Sequence, residues 1–241
     1  MEDQFIRTRM LLGDEAIQRL QTSHVAVFGL GGVGSWCAEA LCRSGVGELT
    51  LVDLDELSVS NINRQSFAVH STVGMKKAEA AALRLHDISP TCQLHPVAAR
   101  YEAQTRDAFF NRPYDCIVDA IDLVSCKLDL IETAHARGIP IISAMGTGNK
   151  LDAQQLHISD LSKTQGCPLA RIVRKELKAR GIIHHPVVFS PELPHRANDG
   201  SETPPPGRRS IPASSMWVPA SAGLLLAQWV ISLLSGVPKR P

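Results

Sequence analysis

A glycine-rich loop between an apolar strand and a helix is the feature that most constrains the fold. Gly29, Gly31, Gly32 and Gly34 fall directly after the apolar run 25–28 and directly before an amphipathic helix. Without side chains the loop can turn tightly, its backbone can approach a phosphate, and the helix N-terminus offers unpaired N–H groups to an anion. The segment predicts a nucleotide site at the first strand–helix junction of an α/β domain.

Strand and helix patterns alternate through the first 150 residues. Further apolar runs of strand length lie at 49–52, 116–121 and 140–145, with helical patterns at 74–88 and 124–137. This alternation predicts an α/β fold with a Rossmann-like, doubly wound, mostly parallel sheet. We expect residues 1–150 to form a nucleotide-binding domain.

The pattern changes after residue 150. Two short strands, at 156–158 and 187–189, flank an amphipathic helix at 168–180. We expect residues 151–241 to form a smaller C-terminal lobe that continues the sheet and binds the substrate. The polar, proline-rich stretch 195–210 has no apolar period and predicts a mobile loop.

The apolar run 220–234 predicts a packed C-terminal helix. It is about 15 residues long, whereas a membrane-spanning helix needs about 20, and it contains Gln228. We therefore expect no integral membrane span. Peripheral contact with the inner membrane through this helix stays open.

Charge is balanced overall but uneven along the chain. The 25 Lys and Arg residues against 24 Asp and Glu exclude a uniformly basic nucleic-acid coat. The segment 161–185 carries one acidic residue, Glu176, and six basic ones: Lys163, Arg171, Arg174, Lys175, Lys178 and Arg180. This segment predicts a surface for an acidic partner, and a solvated helix face is the alternative.

The six cysteines show no C-x-x-C spacing, and no basic-then-apolar leader begins the chain. We expect a reduced, cytoplasmic protein without a zinc cofactor. Cys167 precedes Pro168 at the start of the basic helix, where a helix N-terminus and Lys163 would favour the thiolate. A transient thioester and a structural thiol are both open interpretations.

Asp53 follows the second strand, 24 residues after Gly29, where a carboxylate can bind ribose hydroxyls. These features alone would equally suit an NAD-dependent dehydrogenase. Beyond Asp53 the chain adds polar side chains near the same crevice: Asp55, Asn61, Arg64 and Lys77. An arginine and a lysine at one crevice can neutralise a triphosphate, which hydride transfer does not require.

Asp122 follows the predicted strand at 116–121, at the sheet edge where open α/β folds bind ligands. A carboxylate there suits a Mg²⁺ that bridges phosphates. The alternative is a helix N-cap.

The combined motifs are Gly-x-Gly-Gly-x-Gly, Asp-x-Asp with a later Asn-x-x-Arg-Gln, and Val-Gly-x-x-Lys. Together they resemble the adenylating domain of the ubiquitin-activating-enzyme-like superfamily. The resemblance implies that Asp53 holds the ribose, that Asn61 and Arg64 contact the phosphates, that Lys77 contacts the triphosphate, and that Asp122 holds the magnesium.

Arg7 matches the arginine that in this superfamily reaches across a dimer interface to the nucleotide of the other subunit. The resemblance therefore implies a homodimer in which Arg7 is part of the catalytic machinery. Arg9 is a weaker candidate for that role.

The second lobe narrows the resemblance to one branch. Its Asp-x-x-Lys-Thr at 160–164 and Pro-Leu-Ala at 168–170 are similar to elements of the tRNA threonylcarbamoyladenosine dehydratases. This implies that ATP adenylates the free carboxylate of the modified anticodon-loop adenosine, after which the side chain cyclises with loss of water. The basic segment, with His184 and His185, would then meet the tRNA. A monovalent cation and a cysteine desulfurase or sulfur-acceptor system are further candidate partners.

Three other functions would use part of the same sequence pattern. An adenylyltransferase that activates the C-terminus of a ubiquitin-like sulfur carrier would share the first domain, but those enzymes usually bear two C-x-x-C pairs. A non-catalytic, nucleotide-dependent protein of sulfur trafficking is disfavoured because Arg64, Lys77 and Asp122 are present. For an NAD-dependent dehydrogenase, nothing in the sequence supplies a hydride-transfer acid.

Overall fold

The computed structural model describes residues 3–196 and 212–237. Most of the loop predicted at 195–210 lies outside these residues. The helices are α1 (Ile6–Leu12), α2 (Asp14–Gln21), α3 (Gly34–Arg43), α4 (Lys77–Ile88), α5 (Val124–Ala136), α6 (Pro168–Ala179) and α7 (Trp217–Ser235). The strands are β1 (His24–Phe28), β2 (Glu48–Val52), β3 (Gln93–Val97), β4 (Cys116–Asp119), β5 (Ile141–Ala144), β6 (His157–Asp160) and β7 (Pro186–Phe189).

All of these strands belong to one sheet in the order β3-β2-β1-β4-β5-β7-β6. Every pairing is parallel except the antiparallel pair β6–β7. This confirms the predicted α/β class and the continuation of the sheet by the C-terminal lobe. The order reverses between β1 and β4, which opens a crevice at the carboxyl ends of the strands. The division into two domains at residue 150 stays a prediction, since the sheet runs across it.

Alternate residues of β1 face two different apolar layers. Val25 and Val27 pack with α3, α4 and α7 on one side of the sheet. Ala26 and Phe28 pack with α5 and α6 on the other. A strand buried on both faces has a continuous apolar run, which is why the sequence revealed it.

Helix α7 packs closely against α3. A Cβ on Gly223 would lie 2.4 Å from the Val33 carbonyl oxygen, so only glycine permits this approach. The packed terminal helix predicted at 220–234 is confirmed, although it begins earlier, at Trp217. Its 19 residues, with mean hydropathy 1.6, are long and apolar enough to cross a membrane, but half of that stretch is buried inside the fold. Such burial is typical of a core helix.

Three elements lie where the sequence pattern predicted none, namely α1, α2 and β3. Strand β3 is polar and contains Pro96, so it lacks the apolar run that marks the other strands. It occupies the edge of the sheet, where a proline without an N–H is tolerated. Its strand character therefore depends on pairing with β2 rather than on its own composition.

Candidate active site

The glycine loop after β1 is shaped by close backbone packing. Gly29 has a φ of +90°, and a Cβ there would lie 2.6 Å from the Ala120 carbonyl oxygen. A Cβ on Gly34 would lie 1.8 Å from the Gly29 oxygen, whereas a Cβ on Gly31 would meet nothing within 4 Å. The loop is thus tightly packed at Gly29 and Gly34, whereas the space beside Gly31 is open and leaves room for a phosphate group.

Asp53 joins this loop to the end of β2. Its Oδ2 accepts a hydrogen bond from the Leu30 N–H at 2.7 Å, and its Oδ1 accepts one from the Asp55 N–H at 2.9 Å. Burial raises the pKa of Asp53, and Lys77 partly opposes that rise. The carboxylate is therefore fixed beside the loop, where the sequence predicted a ribose ligand.

Lys77, the first residue of α4, points into the same crevice. Its Nζ lies 2.8 Å from Asp55 Oδ2 and 3.8 Å from Asp53 Oδ1. The lysine is 7% exposed, whereas the Asp55 side chain is 66% exposed. A buried ammonium whose nearest carboxylate is mostly in water can exchange that partner for a bound phosphate.

Arg64 lies over the glycine loop. Its Cγ and Cδ are 3.4 and 3.5 Å from where a Gly32 Cβ would be. Its guanidinium donates hydrogen bonds to the Ser60 carbonyl and to Asn63 Oδ1, both at 2.9 Å. The Trp36 indole also donates to the Arg64 carbonyl oxygen at 2.9 Å, which holds this backbone against α3.

Asn61 is close to Arg64 in sequence but has a local partner. Its Oδ1 accepts a hydrogen bond from the Ser58 N–H at 3.2 Å and so caps the short 3-10 turn at 59–61. The side-chain amide nitrogen is the part left to contact a phosphate. That contact stays a prediction.

Asp122 is exposed just beyond β4. The N-cap of α5 is Leu123, one residue after Asp122. With Asp55, it offers carboxylate oxygens of the kind Mg²⁺ binds alongside phosphates.

The turn that carries Asp122 is held by a buried ion pair that the sequence did not reveal. Asp119 Oδ2 lies 2.6 Å from Lys127 Nζ, with both side chains fully buried. Asp119 also accepts the Ile121 N–H at 3.0 Å, and Lys127 donates to the Ala144 carbonyl at 3.1 Å. The one signal in the sequence is a lysine within the otherwise apolar face of α5.

Asn149 organises a second group of contacts, beyond the end of β5. It has a φ of 58°, rare for a residue other than glycine. Its backbone N–H donates to the Ala213 carbonyl, its Oδ1 accepts the Ala213 N–H, and its carbonyl accepts the His195 N–H, each at 2.7 Å. Asn63 then donates to the Ser214 carbonyl at 3.0 Å, which ties this segment to the backbone next to Arg64.

Arg7 lies on the exposed face of α1 beside Met10 and Leu11, which are 80% and 81% exposed. In this single chain the contacts described for the glycine loop and Asp53 do not include Arg7. Arg9, the weaker claimant, forms ion pairs with Asp3 at 2.9 Å and Asp14 at 3.0 Å. Arg9 therefore has a structural role within the N-terminal segment.

The basic residues of the second lobe separate into two groups. Helix α6 buries Ala170, Val173 and Leu177. Five basic residues are exposed around that helix: Lys163, Arg171, Lys175, Lys178 and Arg180.

Arg174 and Arg180 have partners on this chain, the first half-buried and the second at the surface. Arg174 donates to the Thr164 carbonyl oxygen at 2.7 Å, and Arg180 pairs with Glu132 at 3.3 Å. His185 is fully buried and so is not part of the surface expected to meet tRNA, whereas His184 is exposed. The sequence places these residues in one segment, but it does not show which side chains face solvent and which contact the rest of the protein.

Cys167 is buried at the N-cap position of α6. Its Sγ lies 3.5 Å from where a Gly146 Cβ would be, so the thiol fills space against the turn after β5. This packing favours the structural interpretation of Cys167 over the thioester.

Known proteins resemble this chain in sequence and in overall fold. A model of the ThiF family matches residues 5–241. The chain is 39% identical over 239 residues to a tRNA threonylcarbamoyladenosine dehydratase of Bacillus subtilis, covering 96% of this chain and 94% of that protein. It also resembles the crystal structure of Escherichia coli tRNA N6-threonylcarbamoyladenosine dehydratase in complex with AMP, with a TM-score of 0.88 and 32% identity over 97% of this chain and 94% of that one. The ATP complex of the same enzyme gives a TM-score of 0.87, with the same identity and coverage.

Proposed function

Since the chain belongs to the ThiF family, we propose that it is a tRNA threonylcarbamoyladenosine dehydratase that uses ATP to cyclise the threonylcarbamoyl group of its substrate. The observation that carries this proposal is the extent of the similarity. The Bacillus subtilis dehydratase matches 96% of this chain, including the second lobe as well as the nucleotide crevice.

The reaction has two steps. A carboxylate oxygen of the threonyl group attacks the α-phosphorus of ATP and pyrophosphate leaves, giving an acyl-adenylate. A nucleophilic atom of the same threonylcarbamoyl group then attacks the activated carbonyl, AMP leaves with the former carboxylate oxygen, and a proton is lost. The net change in the substrate is the loss of one water. Because ring closure is intramolecular, positioning and charge stabilisation carry most of the rate.

The residues at the carboxyl edge of the sheet divide these tasks. The open backbone above Gly31 receives phosphates, and Asp53 orients the ribose. Lys77 and Arg64 stabilise the negative charge that moves onto pyrophosphate as it leaves. Asn61 contributes its amide nitrogen to the phosphates.

A magnesium ion fits the carboxylates of this edge, with Asp122 as its protein ligand. When bound, the ion would neutralise charge on the phosphates. Asp119 and Lys127 act through Asp122 by fixing the turn on which it stands. A monovalent cation remains a further candidate cofactor.

The partners follow from the exposed surfaces. Lys163, Arg171, Lys175, Lys178 and Arg180 form the tRNA-facing surface, and Arg174 supports it through its hydrogen bond to the Thr164 carbonyl oxygen. A homodimer formed through α1 would bring Arg7 to the nucleotide of the partner subunit. We place the enzyme in the cytoplasm, with α7 as a candidate peripheral contact with the inner membrane. A cysteine desulfurase or sulfur acceptor is a further candidate partner.

The test is ATP cleavage by the purified enzyme with three substrates: tRNA bearing threonylcarbamoyladenosine, unmodified tRNA, and a small protein with a Gly-Gly tail. We expect AMP and pyrophosphate only with the modified tRNA, together with a mass loss of one water in the adenosine. Pyrophosphate release with the Gly-Gly protein instead would identify an adenylyltransferase for a sulfur carrier.

A further inference from the structure

Two histidines and a glutamate lie close together near the amino-terminal ends of β1, β2 and β3. The nucleotide crevice is at the other end of the sheet, where the strands have their carboxyl ends. His24 and Glu48 are the first residues of β1 and β2 and are register partners. His95 of β3 pairs with Thr50, two residues after Glu48. Since side chains two apart on a strand share a face, these three side chains project from the same face of the sheet.

From this cluster we infer a second metal site, which binds a divalent transition-metal ion of the zinc type through His24, Glu48 and His95. It is independent of the dehydratase function. Each residue offers one ligand atom, and these atoms lie within 4.8 Å of one another. Two histidines and one carboxylate, with a fourth position for water, are an established ligand set for Zn²⁺.

The distances suit an ion of this size. Ligand atoms at about 2.0 Å from a tetrahedral zinc are separated from each other by about 3.3 Å. His24 Nδ1 lies 3.4 Å from Glu48 Oε1. His95 Nε2 lies 2.7 Å from the same oxygen, a hydrogen-bond distance that would lengthen by roughly half an ångström around an ion.

One ligand is already oriented. The Nε2 of His24 is 2.8 Å from Thr50 Oγ1, a contact that fixes the ring and directs Nδ1 toward Glu48. Such partners of metal-binding histidines hold the ring and its tautomer in place.

The cluster is accessible from solvent. The side chains of His95 and Glu48 are 24% and 28% exposed, so an ion can enter and keep a water ligand. Arg112 approaches Glu48 to 3.9 Å. A bound ion would displace this contact, and the half-exposed Arg112 can turn into solvent.

The site differs in kind from the cysteine site that the sequence excludes. All six cysteines are free and buried, so none offers an exposed thiol that would bind zinc from solution. A metal ion that the full-length protein takes up from solution would therefore be bound by histidine and carboxylate side chains.

The experiment is zinc titration of the chelator-treated, full-length protein in competition with a chromophoric chelator. We expect one zinc per chain in the wild type, and affinity at least tenfold weaker in Glu48→Gln and in His95→Gln. His86→Gln, at an exposed histidine of α4, should bind as the wild type does. Equal zinc affinity in all four proteins, or no stoichiometric binding by the wild type, would show that the cluster is only a hydrogen-bonded network.

A spectroscopic measurement on the wild type does not depend on whether a variant folds. Co²⁺ added to the chelator-treated protein should give the visible absorption of a four- or five-coordinate nitrogen and oxygen site. A sulfur-to-cobalt charge-transfer band would place the metal at a cysteine and overturn the assignment.

Discussion

Two adjacent lysines show how strongly the surroundings of a single residue decide its role. Lys77 is buried and points at Asp53 and Asp55, whereas Lys76 extends into solvent and pairs with Glu56 at 3.1 Å. The chemical group is the same in both. Only the buried ammonium lies where a triphosphate would be.

Lys77→Ala should therefore lower tRNA-dependent pyrophosphate release by about a hundredfold or more, the typical effect of removing one preorganised charge. Lys76→Ala, the matched control, should leave the rate within about twofold, because its ion pair is exposed. Steady-state pyrophosphate assays with ATP in excess would measure both. Equal losses in the two variants would mean that Lys77 has no special contact with the nucleotide.

His185 predicts a pH dependence of stability. Burial lowers its pKa to about 3, with His135 and Lys127 acting in the same direction. The unfolded histidine takes up a proton below about pH 6.5, while the folded one stays neutral until about pH 3, so stability is lost as pH falls between these values. The free energy of unfolding should fall by up to about 1.4 kcal/mol per pH unit from this group.

Urea unfolding at about pH 7.5 and about pH 5.5 would measure that loss. In His185→Gln the decrease between the two pH values should shrink, whereas His86→Gln, at an exposed position, should retain it. Some decrease should remain in His185→Gln, because burial also lowers the pKa of His135. An unchanged decrease in His185→Gln would mean that the buried imidazole does not titrate as described.

At the scale of elements, helix α6 has a buried apolar face and an exposed basic face. Its buried stripe holds the helix to the sheet, while Arg171, Lys175 and Lys178 remain exposed. The amphipathic period was visible in the sequence. What the sequence did not show is that Arg174 donates to Thr164 and so belongs to the internal contacts of the lobe.

Replacing Arg171 and Lys175 together by alanine should weaken tRNA binding and reduce the slope of log affinity against log salt by about 1 for each phosphate that is no longer neutralised. Arg100→Ala, at an exposed arginine outside α6, should change neither quantity. Filter binding across a salt series would measure both. A drop in affinity with an unchanged slope would argue against direct binding of these side chains to phosphates.

At the scale of the whole molecule, the exposed apolar side chains of α1 and the position of Arg7 predict that the active site is completed by a second copy. Met10 and Leu11 are among the most exposed large apolar residues described. In a symmetric dimer the same patch of both subunits forms the contact.

Mixing two inactive variants tests this arrangement. Arg7→Ala and Lys77→Ala should each be inactive alone. If Arg7 acts across the interface, subunit exchange creates heterodimers with one complete site, and activity should return to about a quarter of wild type. An Arg7→Ala plus Arg64→Ala mixture should behave likewise, whereas Lys77→Ala plus Arg64→Ala should not recover. No recovery in any mixture would place Arg7 in its own subunit's site or outside catalysis.

Local pattern and spacing determined much of this protein. The glycine loop, Asp53 and Lys77 could be predicted because each follows a strand or opens a helix, so sequence position sets their place at the carboxyl edge. Arg64 could be predicted only through the motif that contains it, since it lies in a loop whose position is set by contacts with Gly32 and Trp36. The apolar strands β1, β2, β4 and β5 could be predicted because burial on both faces leaves a continuous apolar run.

Tertiary structure alone decided the contacts between side chains of different elements. The Asp119–Lys127 pair, the hydrogen bonds that link Asn149 with His195 and Ala213, and the His24–Glu48–His95 cluster have no sequence period. Edge strand β3 is likewise formed by pairing with β2 rather than by its composition. A local pattern records which face of an element is buried, whereas the partner across the sheet is set by the order and register of the strands.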